Sequence, residues 1–142
     1  MNWVYLLDSF EGRIGRKTFW IAMGAVTIAE IVGHVVAEGL EGSRLNAIVD
    51  LAFTYPEFAI AVKRGYDRNM PPWIVAAFFG GGVLLDFLTV TGLAGTAEEP
   101  SLAAVALAVP LTIFGFALHI ELGLRRGTPG PNRYGPDPLG QT

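Results

Sequence analysis

The chain has 142 residues, of which 51% are hydrophobic and 16% charged, with a formal net charge of −3 and a mean hydropathy of +0.44. A water-soluble domain carries about 25% charged residues, so the composition argues for a chain that meets lipid. Cysteine is absent, which excludes disulfides and thiolate metal sites.

Residues 1–18 form a lead-in. Trp3, Tyr5, Leu6, Leu7 and Phe10 are too few for a span but suit the headgroup region, where an apolar ring and a polar tip are both satisfied. The basic run Arg13, Arg16, Lys17 leads into Phe19–Leu40, where Glu30 and His34 are the ionisable residues before Glu38. About 20 helical residues cross a ~30 Å hydrocarbon core, so a first span is expected over about 19–38. A secretory signal is excluded by its length and by the lack of an Ala-x-Ala-like site after it.

A polar linker over 39–44 leads to a second apolar tract, about 45–62, which carries Asn46, Asp50, Pro56 and Glu57. Its length is near the lower limit for crossing, and Pro56 predicts a kink; a re-entrant or tilted helix stays open. Lys63, Arg64 and Arg68 end it, and Pro71 and Pro72 close the turn. A third span is expected over about 73–94, with Gly80–Gly82 and a lone Asp86. The fourth, about 101–124, follows the acidic linker 95–100 and holds Pro110, His119 and Glu121. Arg125 and Arg126 stop it, and the tail 125–142 has too much Pro and Gly for a helix.

Nine of the ten Lys and Arg residues precede span one, follow span two or follow span four; Arg44 alone shares the other loops with Glu41, Glu98 and Glu99. The positive-inside rule puts both termini and the 63–72 loop in the cytoplasm. The expected fold is one all-α integral membrane domain, residues 1–142, with four transmembrane helices and both termini cytoplasmic.

Ala25, Ala29, Gly33 and Ala37 recur every four residues, a pattern that predicts a close helix interface within the chain or between copies. Ala104 and Ala108 make a shorter version. Glu30, His34 and Glu38 form an adjoining stripe. Charges at membrane depth face a bundle interior, and counting the helical rise brings Glu30, His34, Asp50 and Asp86 together in the outer half. That cluster fits either a proton or divalent-cation site or a structural network of protonated acids. Glu57, His119 and Glu121 are placed near the inner face as interfacial ion pairs.

Three motifs, FEGRIGRKTFW (Phe10–Trp20), YPEFAIAVKRGYDRNMPPW (Tyr55–Trp73) and GTPGPNRYGPDP (Gly127–Pro138), resemble those of the bacterial inner-membrane "domain of unknown function 805" family. The family's Gly-Arg-x-Ser-Arg-x-x-Phe-Trp pattern falls on Gly12, Arg13, Gly15, Arg16, Phe19 and Trp20, with Gly15 in place of Ser. Its Arg-Arg-Leu-His-Asp pattern falls on Lys63–Asp67, with Tyr66 in place of His. The C-terminal pattern is carried complete by Gly127, Thr128, Gly130, Asn132, Tyr134, Gly135, Asp137 and Pro138. The resemblance implies a small four-span protein of the bacterial inner membrane, and no activity.

Arg13, Arg16, Arg64, Asp67, Asn132, Tyr134 and Asp137 are the candidate cytoplasmic site. Either Arg–Asp pairs lock the tail to the 63–72 loop, or an unpaired arginine binds a phosphate-bearing partner. No phosphate loop, nucleophile–base pair or metal-ligand motif is present. Neither a cofactor nor a nucleic-acid partner is expected. The leading reading is a non-enzymatic membrane component whose basic face binds anionic lipid or a protein partner. A proton- or cation-coupled transporter using the polar cluster is the alternative, and a lipid-headgroup enzyme using Asp67 and Asp137 a further one. Homo-oligomerisation stays open.

Overall fold

The computed structural model describes residues 2–40, 43–96 and 98–140, with the backbone alone for Ser43, Arg44 and Ala47. The predicted linker residues Glu41 and Gly42, and the Arg44 side chain, lie outside these, as does Ala97 of the acidic linker. The described residues form five helices: α1 (Trp3–Asp8), α2 (Arg16–Gly39), α3 (Ser43–Asp67), α4 (Pro72–Val90) and α5 (Leu102–His119). α5 runs on into a π-helical turn, Ile120–Leu124. Among the described residues there is no strand, only the isolated bridges Gly95–Pro100 and Asn132–Gly135.

Three helices are long and apolar enough to cross a membrane: α2, α4, and α5 with its π-helical turn. Their surfaces suit that solvent. Ile28, Ile31, Val32 and Val35 on α2, Phe87 on α4, and Ile113 and Phe116 on α5 are all exposed, an arrangement costly in water at this density. α3 has ample length at 25 residues but is less apolar than the other three. The reason is its place: it lies between α2 and α4 and also carries α1. Seven consecutive residues, Ala59 to Gly65, are buried, so its inner half meets protein all round and its polar side chains find partners there. The helix continues through Pro56.

Four-residue spacing on α2 misjudges the inward face. Four residues turn a helix by about 400°, so each step drifts about 40°. The packed residues are Phe19, Ala22, Val26, Gly33 and Ala37, spaced three, four or seven apart. Gly33 is required: a Cβ there would sit 2.9 Å from Val49 of α3. Ala25 and Ala29 instead lie on the exposed side.

α5 packs along α4, while α2 and α3 meet its C-terminal turn. Gly115 lets the Phe78 ring come close, and Gly123 leaves room for Trp20. The helices therefore converge at the end where α3 stops and α4 starts; away from it α2 stays against α3 and α5 against α4, while α5 parts from α2 and α3.

Candidate functional site

At the convergent end the chain brings its three motifs together. Arg13 and Arg64 have side-chain exposures of 0%, and Asp67 lies between them at 3%. Arg13 Nε and Nη2 donate to Asp67 Oδ1 at 3.2 and 2.9 Å. Its Nη1 donates to the Gly130 and Gly135 carbonyls at 2.8 and 3.2 Å, and Nη2 also to the Thr128 carbonyl at 2.7 Å. Arg64 Nη1 pairs with Asp67 Oδ2. One carboxylate thus serves two buried guanidiniums, and backbone carbonyls take up the remaining donors. Such a group is stable only when every donor is met, and among the described residues no buried side-chain polar atom lacks a partner.

The C-terminus of the last helix is held the same way. A helix ends with unpaired carbonyls and partial negative charge. Here Leu122 accepts from Arg64 Nε at 2.6 Å, Gly123 from Trp20 Nε1 at 3.1 Å, and Leu124 from Arg16 Nη1 at 3.1 Å. Arg125 accepts from Arg64 Nη2 at 2.5 Å, and Arg126 from Arg68 Nη1. Five successive carbonyls are met by side chains of α2 and the α3 end. Lys63 does the same for α1: its buried ammonium donates to the Tyr5 and Leu6 carbonyls at 2.7 Å each, and to Ser9. Burial pushes its pKa down to about 8.

The tail folds onto this group. Thr128 N donates to the Asp67 carbonyl at 2.8 Å, and Gly127 sits so near the Asp67 carboxylate that a Cβ would lie 2.6 Å from its Cγ. Asn132 Nδ2 donates to the Tyr66 carbonyl and to Thr128 Oγ1, both at 2.9 Å, while its Oδ1 accepts from Tyr134 N. Gly130 and Gly135 adopt φ of +72° and +135°, which only glycine does without strain. Asp137 accepts from Leu139 N at 2.9 Å and Gly130 N at 2.8 Å. Those two bonds, then the Arg13 charge, hold its pKa below the usual carboxylate range. Tyr66, where the family pattern has His, stacks on Tyr134 at 4.0 Å and 15°.

All seven predicted inner-face residues therefore meet and each is bonded or packed within the group; Arg16, which holds the Leu124 carbonyl, is the exposed one. Beside them lies a recess of about 310 Å³ bounded by Arg16, Arg64, Arg126, Gly127, Asp67 and Asp137. Lys17 and Arg126 are exposed and have no carboxylate partner among the described residues.

The second predicted group is also assembled. Glu30, His34 and Asp50 can each offer a ligand atom within 4.8 Å of the others. His34 Nε2 lies 3.0 Å from Asp50 Oδ1, and Nδ1 lies 3.2 Å from Asn46 Oδ1. Asp86 is set apart from this triad, on the wall of a larger groove. Glu57 does not join the inner-face ion pairs: it lines the same groove as Asp86 and His119. Ten residues separate Glu57 from the α3 end, about 15 Å of rise, which carries it away from the basic cluster. Of the three residues placed at the inner-face ion pairs, Glu121 is the one found there, 2.7 Å from Arg68 and 3.1 Å from Arg125. The Arg68–Glu121 pair and the row of carbonyl caps went unforeseen; the acceptors are backbone, so no side-chain pattern announces them.

The profile of a family described as "Protein of unknown function (DUF805)" matches residues 7–136. The chain is 36% identical over 139 residues to "Uncharacterized protein YiiR" of Escherichia coli (strain K12), spanning 92% of this chain and 86% of that protein. The same figures hold for the protein of that name in Escherichia coli O157:H7. No solved structure matches. With the match covering the first two motifs whole and the third as far as Pro136, the chain belongs to the DUF805 family of proteins of unknown function.

Proposed function

We propose that the protein crosses the bacterial inner membrane four times, with both termini cytoplasmic, and binds anionic lipid headgroups at its basic inner face without catalysing a reaction. Antiparallel α2, α3, α4 and α5 put the three basic motifs at one end, and α3, shielded by its neighbours, serves as the fourth span. One observation carries the lipid reading. Arg13, Arg64 and Arg68 are spent on Asp67, Glu121 and carbonyls, whereas Arg16, which holds the Leu124 carbonyl, and Arg126 remain exposed at the rim of a recess, with Lys17 exposed next to Arg16. Basic residues so placed contribute about 1 kcal/mol each toward an anionic surface. Asp67 and Asp137 are spent on structural bonds, which removes the carboxylates that an enzymatic reading would use.

Native mass spectrometry of the detergent-solubilised chain, offered equal phosphatidylglycerol and phosphatidylcholine, tests this. Phosphatidylglycerol should be retained preferentially, and the preference should fade with salt and in the double variant Arg16→Gln, Arg126→Gln. Equal retention of the two lipids would refute it. The Glu30–His34–Asp50 triad favours a second reading, proton- or cation-coupled transport. It calls for vesicle proton uptake that is lost in Glu30→Gln and Asp86→Asn.

A further inference from the structure

Where α5 parts from α2 and α3, a groove of about 610 Å³ opens on one side of the bundle. Its walls are apolar and aromatic, with Phe78 and Phe79 from α4 and Leu111 and Phe116 from α5, and two carboxylates, Glu57 and Asp86, lie among them. We infer that this groove is a binding site for a lipophilic organic cation, an amine or onium head on an apolar body.

The argument is one of charge and size. Glu30, Asp50, Glu57 and Asp86 come from three helices and are half-buried, and His34 pairs with Asp50. Among the described residues no Lys or Arg pairs with any of the four acids. Carboxylates away from water need a cation or a proton. At the convergent end of the same molecule arginines pair with Asp67 and Glu121, so the deficit lies at the groove. The volume falls within the ~300–1,000 Å³ of sites that enclose drug-sized molecules and far exceeds what a bare ion fills. Aromatic faces attract organic cations through the ring quadrupole. His119 and Thr112 also line the groove, and His119 Nδ1 lies 2.8 Å from the Gly115 carbonyl, so the acids are its principal charged feature. The site is separate from the lipid-binding face and does not depend on that reading.

Equilibrium dialysis of the full chain in neutral detergent, with tetraphenylphosphonium and with its isosteric anion tetraphenylborate, tests the inference. The phosphonium should be retained saturably above empty micelles and the borate should not. Glu57→Gln and Asp86→Asn should each weaken phosphonium binding about tenfold or more. Ala108→Trp, which fills the groove without touching an acid, should abolish it at an unchanged unfolding temperature. Equal retention of the two probes overturns the site. So does wild-type binding by Ala108→Trp or by both carboxylate variants, or saturable uptake of Zn²⁺ alone with no phosphonium retained.

Discussion

At the convergent end, Arg13, Arg64 and Asp67 are almost wholly buried and every nitrogen of the two guanidiniums has an acceptor within the chain. In the parted half, Glu30, Asp50, Glu57 and Asp86 share the interior with a single His34. Both regions bury charge in a chain that is poor in it. The first spends its charges on joining the lead-in, the 63–72 loop and the tail into one cap. The second pairs Asp50 with His34 and leaves Glu30, Glu57 and Asp86 without a basic partner among the described residues, and unspent charge in an apolar setting is where a ligand would act.

The two regions should respond oppositely to loss of an acid. Asp67→Asn leaves two buried guanidiniums without a counter-charge and should cost about 3–5 kcal/mol, read as a large fall in unfolding temperature or loss of folded protein. Gly127→Ala pushes a methyl into the Asp67 carboxylate and should cost about 1–3 kcal/mol by the same measurement. The stacked Tyr66–Tyr134 pair should show a coupling of about 0.5–1.5 kcal/mol in a double-mutant cycle to Leu.

Asp137 gives a pH signature. Its folded pKa is depressed, so its contribution is complete above the ordinary carboxylate pKa and is lost as pH falls through the folded value. Wild type and Asp137→Asn should therefore differ in unfolding temperature at pH 7 and converge in strong acid. The smallest effect belongs to the other region. Asp86→Asn removes a carboxylate with no basic partner and should leave stability unchanged or slightly raised. A fall as large as that of Asp67→Asn would erase the contrast between the two halves.

Hydropathy made α2, α4 and α5 legible, because each is a long apolar run broken by turn formers. α3 was harder to read, since a helix shielded by its neighbours can afford Asn46, Asp50 and Glu57. The pairing of Arg13 and Arg64 with Asp67 was open to inference from charge and motif order. The carbonyl caps at 122–126 were not, because nothing in Leu122 or Gly123 marks a backbone oxygen as an acceptor. Of the small-residue repeat on α2, Gly33 and Ala37 pack within the chain while Ala25 and Ala29 face outward, because a four-residue repeat winds off a straight face. Glu57 was assigned by nearness in sequence to Lys63, whereas its depth is fixed by the rise of the helix.

The absence of cysteine from the sequence makes the central claim, four crossings with the motif cap on the inner side, directly measurable. Single cysteines at the exposed positions Glu98 and Arg133 are treated with a membrane-impermeant maleimide on intact spheroplasts. Glu98→Cys should react at once and Arg133→Cys only after permeabilisation. Labelling of Arg133→Cys from outside, or protection of Glu98→Cys, would contradict the account.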